Sequence, residues 1–84
     1  MNPRKILKKI MENSKNIGFN DMVTLLESYN FYLDRISGSH HIFINLEIKE
    51  LVNLQNVNGQ VKPYQIKQFL RLVEKYNLRI KEDV

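Results

Sequence analysis

An 84-residue chain of 10.0 kDa has room for one domain with a modest hydrophobic core, and 43% hydrophobic with 26% charged residues is typical of a globular protein. The absence of cysteine excludes disulfides, thiol nucleophiles and thiolate metal sites, and two histidines without metal-ligand spacing predict no metal and no cofactor. A formal charge of +4, concentrated towards both ends, favours a polyanionic partner such as nucleic acid; the alternative is that the lysines only solvate helices.

The sequence predicts two helices before any strand. Asn2-Pro3 is a helix-start signature, and an apolar stripe follows at helical spacing over residues 3–13, formed by Ile6, Leu7, Ile10 and Met11. A second helix is expected to open at Asn20 and to close near Asn30, with a buried face of Met22, Leu25, Leu26 and Tyr29.

From residue 31 the apolar period changes to two, which indicates strands. Strands are expected over residues 31–36, 40–46 and 51–57, separated by the turn Ser37-Gly38-Ser39 and by a polar break at 47–50. Asn58-Gly59 is a strong turn signal after the third strand. Short connections favour an antiparallel meander.

The last predicted helix begins at Pro63 and ends at the cap Asn77, with a polar tail over residues 79–84. Its apolar face is Ile66, Phe69, Leu70 and Val73, and a basic row lies beside that face at Lys67, Arg71 and Lys75. The element order α-α-β-β-β-α predicts an α+β fold whose helices cover one face of a three-stranded sheet. Charged residues recur through the first 14 positions and no apolar run exceeds three residues, so we expect a cytoplasmic protein with no membrane span.

The turn Gly38-Ser39 leads directly into the histidine pair His40-His41 at the mouth of the second strand. Imidazole moves protons near neutral pH, so one histidine could deprotonate a ribose 2′-hydroxyl or protonate the leaving 5′-oxygen during RNA cleavage. Adjacent strand residues point to opposite faces, so the two histidines are not expected to share one site. Periodicity places the apolar Ile42 on the side of His40, so His41 is favoured as the solvent-facing histidine. The alternative to a catalytic role is that both histidines are structural or merely exposed.

Four segments together resemble the HicA family, small mRNA-cleaving toxins of type II toxin–antitoxin systems. They are the helical pair Leu25-Leu26, the histidine turn through Phe43, residues 51–55, and residues 62–70 with Lys-Pro-Tyr-Gln at their start. The resemblance covers residues 19–78, with 1–18 as an N-terminal helical extension of a single domain. It implies a double-stranded-RNA-binding-like core of order α-β-β-β-α.

The resemblance also implies the function and the site. It assigns metal-independent mRNA cleavage to the histidine directly after Gly-Ser, which is His40, with His41 as the runner-up, and it implies a HicB-type antitoxin as protein partner. The residues expected to contact RNA are Gly38, Ser39, Lys62, Tyr64, Lys67 and Arg71. The alternative function is a non-catalytic RNA-binding or protein-interaction module with the same fold.

Overall fold

The computed structural model describes residues 1–81 and confirms the predicted α+β fold and its element order. The helices and strands are α1 (Pro3–Glu12), α2 (Phe19–Ser28), β1 (Tyr32–Ser37), β2 (His40–Asn45), β3 (Glu50–Gln55) and α3 (Pro63–Tyr76). From α2 onwards the order is α-β-β-β-α, which is consistent with a double-stranded-RNA-binding-like fold preceded by one extra helix.

Local turn and cap chemistry explains most of these boundaries. Asn2 caps α1 through its side-chain oxygen, which accepts a hydrogen bond from the backbone N–H of Lys5 at 2.9 Å. Asn77 ends α3 in the left-handed conformation, with φ of 52°. Helix α2 begins at Phe19, one residue before the predicted start at Asn20, and Gly18 occupies its N-cap position.

The sheet is a purely antiparallel meander in the order β1-β2-β3. The turn Gly38-Ser39 joins β1 to β2 and pairs Ser37 with His40, while residues 46–49 join β2 to β3. The register shifts between Leu33 and Arg35, so β1 carries an irregularity at Asp34. All six residues of β1 are exposed, since this strand lies at the edge of the sheet beyond the cover of the helices.

The hydrophobic core lies between the helices and one face of the sheet, as predicted. Its sheet side is formed by Phe43 from β2 and by Val52 and Leu54 from β3. The helical side is a larger set that includes Ile6, Ile10, Met22, Leu25, Leu26, Ile66 and Phe69. Met11 departs from the predicted stripe and is 69% exposed, because α1 turns only a narrow face towards α2.

An aromatic cluster forms the centre of this core. Phe69 makes edge-on ring contacts with Tyr29 and Phe31, at centroid distances of 5.2 and 6.0 Å. Burial raises the pKa of Tyr29 above its usual value, and the charge of Arg4 partly opposes this shift. The Tyr29 hydroxyl therefore stays protonated at neutral pH and behaves as part of the core.

Asn45 is a buried polar residue at the end of β2, and its side chain forms hydrogen bonds with three backbone groups. Its amide nitrogen donates to the carbonyl of Tyr29 at 3.0 Å, and its oxygen accepts from the N–H groups of Glu47 and Ile48 at 2.9 and 3.4 Å. We expect Asn45→Ala to lower the free energy of unfolding by about 2 kcal/mol, because buried polar groups lose their partners. Urea denaturation of Asn45→Ala beside Asn20→Ala, an exposed position on α2, measures this; equal midpoints would contradict it.

The chain continues past α3 along the helical layer. The backbone N–H of Lys81 donates to the carbonyl of Ser28 at 2.8 Å, its side-chain amine contacts the Tyr32 hydroxyl, and Ile80 packs partly buried against the core. Of the tail predicted over residues 79–84, positions 82–84 lie outside the described residues. Within residues 1–81, no helix is both long and apolar enough to cross a membrane.

Candidate active site beside the histidine turn

The Gly38-Ser39 turn places the histidine pair at one end of the sheet. Gly38 adopts a φ of 61°, a conformation that glycine reaches without strain, and this lets the chain reverse within two residues. The Ser39 hydroxyl accepts a hydrogen bond from the side-chain amide of Gln55 at 3.2 Å, so the turn is also fixed to β3. Both histidines follow at once and are half-buried.

His41 lies on the helical face of the sheet, not on the solvent side that periodicity favours. Its ring packs edge-on against Phe19 at a centroid distance of 4.7 Å, and its Nδ1 atom donates to the carbonyl of Ser39 at 3.3 Å. The predicted buried face is wrong, because Phe43 of the core and the buried Asn45 lie on the His41 side, while the two histidines themselves are both half-buried. A polar residue on a strand therefore does not identify the exposed face here.

His40 lies on the opposite face, which no helix covers and which we call the open face. This face is formed by His40, Ile42 and Ile44 of β2 and by their register partners Gln55, Asn53 and Leu51 of β3. The Nδ1 atom of His40 lies 3.2 Å from the side-chain oxygen of Asn53. The Nδ1–H tautomer satisfies this bond, because an amide oxygen can only accept, and Nε2 has no hydrogen-bond partner within residues 1–81.

A groove runs from Asn53 to the exposed side of α3, and we call it the β3–α3 groove. Its volume is about 450 Å³, within the range of small-ligand sites. It is lined by Leu51, Asn53, Tyr64, Gln65, Gln68, Arg71 and Leu72. Asn53 both lines the groove and bonds His40, so the groove lies one side chain from the histidine.

The residues expected to contact RNA are only partly brought together. Tyr64 and Arg71 line the β3–α3 groove. Lys67 is exposed on α3 one turn before Arg71 and lines neither the β3–α3 groove nor a second groove around Lys62. Lys62 lies in that second groove, together with Lys15. The structure therefore separates Lys62 from the groove beside His40.

The third residue of the predicted basic row is engaged elsewhere. The amine of Lys75 lies 3.8 Å from the carboxylate of Glu50 and 5.1 Å from the ring centroid of Tyr76. Arg71 and Lys67, by contrast, form no ion pair within the described residues 1–81. Their charges are thus available to an anionic ligand.

Two residues of this site were not found from the sequence. Asn53 lies between the apolar residues Val52 and Leu54 of β3, and Gln68 lies between the aromatic and basic positions of α3. The signal for Gln68 was present, because Tyr64, Gln68 and Arg71 recur at helical spacing on one side of α3. Asn53 becomes meaningful only when the strand register is known.

The family model described as the HicA toxin of bacterial toxin-antitoxin matches residues 19–74, from the start of α2 almost to the end of α3. This match covers more than half of the chain, so the chain belongs to the HicA toxin family. Comparisons with curated proteins and with solved structures give no match.

Proposed function

We propose that this HicA-family toxin is an endoribonuclease that cleaves mRNA with His40 as its proton-transfer residue. The observation that carries the proposal is the bond between His40 and Asn53 on the open face, directly beside a groove that contains a cation without an ion pair. The family match supports a toxin of a toxin–antitoxin system, and the site residues support the proposed cleavage reaction.

The proposed reaction uses the Nε2 atom of His40, which has no hydrogen-bond partner within residues 1–81. Nε2 accepts the proton of a ribose 2′-hydroxyl, and that oxygen attacks the adjacent phosphorus. The bond from phosphorus to the 5′-oxygen breaks, and this oxygen takes a proton from water, while the His40 imidazolium later returns its proton to solvent. The products therefore carry a 2′,3′-cyclic phosphate and a 5′-hydroxyl. In this proposal Arg71, which lines the neighbouring groove, stabilises the negative charge that builds on the phosphate oxygens.

His41 is the weaker candidate for this role because its ring is engaged on the helical face. Its contacts with Phe19 and with the Ser39 carbonyl hold the start of β2 against α2. An RNA strand on the open face would meet His40 and not His41. We therefore assign His41 to the support of the turn.

The direct test is incubation of RNA with the purified protein in excess EDTA. Within residues 1–81 no three histidine or acidic side chains are grouped to hold a metal ion, and EDTA tests independently whether the reaction needs one. We expect shortened RNA with cyclic phosphate ends. RNA that shifts in a gel without shortening would instead favour the non-catalytic RNA-binding module.

We also propose a HicB-type antitoxin as the protein partner, since membership of a toxin family implies an antitoxin. The antitoxin is expected to cover the open face around His40 and so to block RNA. Co-expression with the product of the neighbouring gene, followed by purification on a tag on one chain, tests this. A stable complex without RNA cleavage is the expected result, and separate elution of the two proteins would contradict it.

A further inference from the structure

The β3–α3 groove has the chemistry of a nucleobase site, and this inference rests on the proposed function of the open face. Tyr64 is at the first turn of α3 and its side chain is 53% exposed, without a ring partner among residues 1–81. An exposed aromatic ring in the same groove as a cation is an arrangement on which unpaired RNA bases stack. Tyr64 therefore offers a stacking surface in the groove.

The amide groups in the groove differ in whether they are free to bind a ligand. Gln65 is buried, and its side-chain oxygen accepts from the N–H of Gln55 at 3.1 Å, so it belongs to the fold. Gln68 forms no side-chain hydrogen bond within the described part of the chain. Asn53 uses its oxygen towards His40, while its amide nitrogen is unused.

The charge of the groove fits a polyanion. Among the described residues, no acidic side chain lines it, and Arg71 lies on the side of α3 that faces it, one turn from Gln68. A base held on Tyr64 would place its own backbone near Arg71. The shared residue Asn53 keeps this base within one side chain of His40.

We propose that the β3–α3 groove binds one unpaired RNA base next to the scissile phosphate, stacked on Tyr64 and recognised by Gln68. A carboxamide presents one donor and one acceptor side by side, and adenine presents the matching acceptor and donor at N7 and N6. Guanine presents two acceptors at N7 and O6 and does not match, and a pyrimidine covers less of the Tyr64 ring than a purine does, so adenine is the base that we infer for this groove. Gln68 is the specificity-determining residue, and Tyr64 supplies affinity that depends little on the base.

The test uses RNA that binds but cannot be cleaved. Hexanucleotides of adenine, cytosine or uracil with 2′-O-methyl riboses lack the nucleophilic hydroxyl, and their dissociation constants are measured by fluorescence anisotropy. The parent protein should bind oligo-A most tightly. Tyr64→Ala should weaken binding of all three by about tenfold, whereas Tyr64→Phe should retain it.

The second variant separates specificity from affinity. Gln68→Ala should reduce the preference for oligo-A by about tenfold, while the matched amide variant Asn20→Ala on α2 should bind as the parent does. If Tyr64→Ala and Gln68→Ala both bind as the parent does, the groove is not a base site and the inference is wrong. A parent protein that fails to cleave normal RNA would refute the endoribonuclease instead, because the binding measurement does not depend on cleavage.

Discussion

His40→Ala should lower the rate of RNA cleavage by a factor of about 100 or more, which is the usual contribution of a general acid or base. The fold should survive, because His40 is half-buried on the open face and lies outside the core between the helices and the sheet. RNA binding should change little, since the groove residues Tyr64 and Arg71 remain in place. Cleavage of a labelled RNA in excess EDTA, together with anisotropy on 2′-O-methyl RNA, measures both quantities. In cells the same variant should no longer arrest growth.

The matched control for this prediction is His41→Ala. It removes an imidazole at the next position but on the other face of β2, so we expect much of the activity to remain. A loss of stability of about 1 kcal/mol is expected from the missing contact with Phe19. If His41→Ala were inactive while His40→Ala still cleaved, the assignment of the catalytic histidine would be reversed. If both variants cleaved like the parent, neither histidine would be catalytic.

The parts of the fold that the sequence predicts well are those governed by a few neighbouring residues. Asn2-Pro3 starts α1, Asn77 ends α3, and Asn58-Gly59 forms a turn in which both residues have positive φ, 54° and 82°. Each of these outcomes depends on backbone preference and on one or two hydrogen bonds. The element order and the antiparallel meander follow from them and from the short connections.

The open face was harder to predict because alternation along a strand does not say which side the helices cover. Both sides of β2 carry apolar residues: Ile42 faces outward and is nonetheless only 8% exposed, whereas Phe43 belongs to the helical core. The burial of Ile42 without helices reflects its place in the central strand, flanked in register by Arg35 and Asn53. Tertiary placement, not the sequence pattern, therefore decides which histidine lies on the face that the helices leave open.

The hydrogen bond between His40 and Asn53 could not be predicted from the sequence, because it depends on the register of β2 and β3. A loop over residues 47–50, as predicted, would pair Asn53 with Ile44 and carry it away from the histidine. The observed loop over 46–49 pairs Asn53 with Ile42, diagonally next to His40. An error of one residue at each end of a loop is thus enough to hide a side-chain contact in the site.

The second large expected effect is on RNA affinity, and it comes from two basic residues of α3. Replacing both Lys67 and Arg71 by Ala should weaken RNA binding by about tenfold or more and reduce the slope of log affinity against log salt by about 1.4. The reason is that each phosphate contact with a single strand contributes about 0.7 to that slope through released counterions. Both side chains are exposed on α3, and neither forms an ion pair within residues 1–81. Anisotropy on 2′-O-methyl RNA at several salt concentrations measures the slope.

A control of equal charge separates specific contact from general attraction. Lys5→Ala combined with Lys9→Ala also removes two positive charges, but from α1. This helix packs against α2 in the helical layer, away from the open face. Long-range attraction falls off within about 10 Å at 0.1 M salt, so this variant should keep nearly the parent slope. Equal flattening by both double variants would mean that RNA responds to net charge alone. An unchanged slope for the α3 variant would mean that Lys67 and Arg71 do not touch RNA, and the strand would then have to cross the open face by another path.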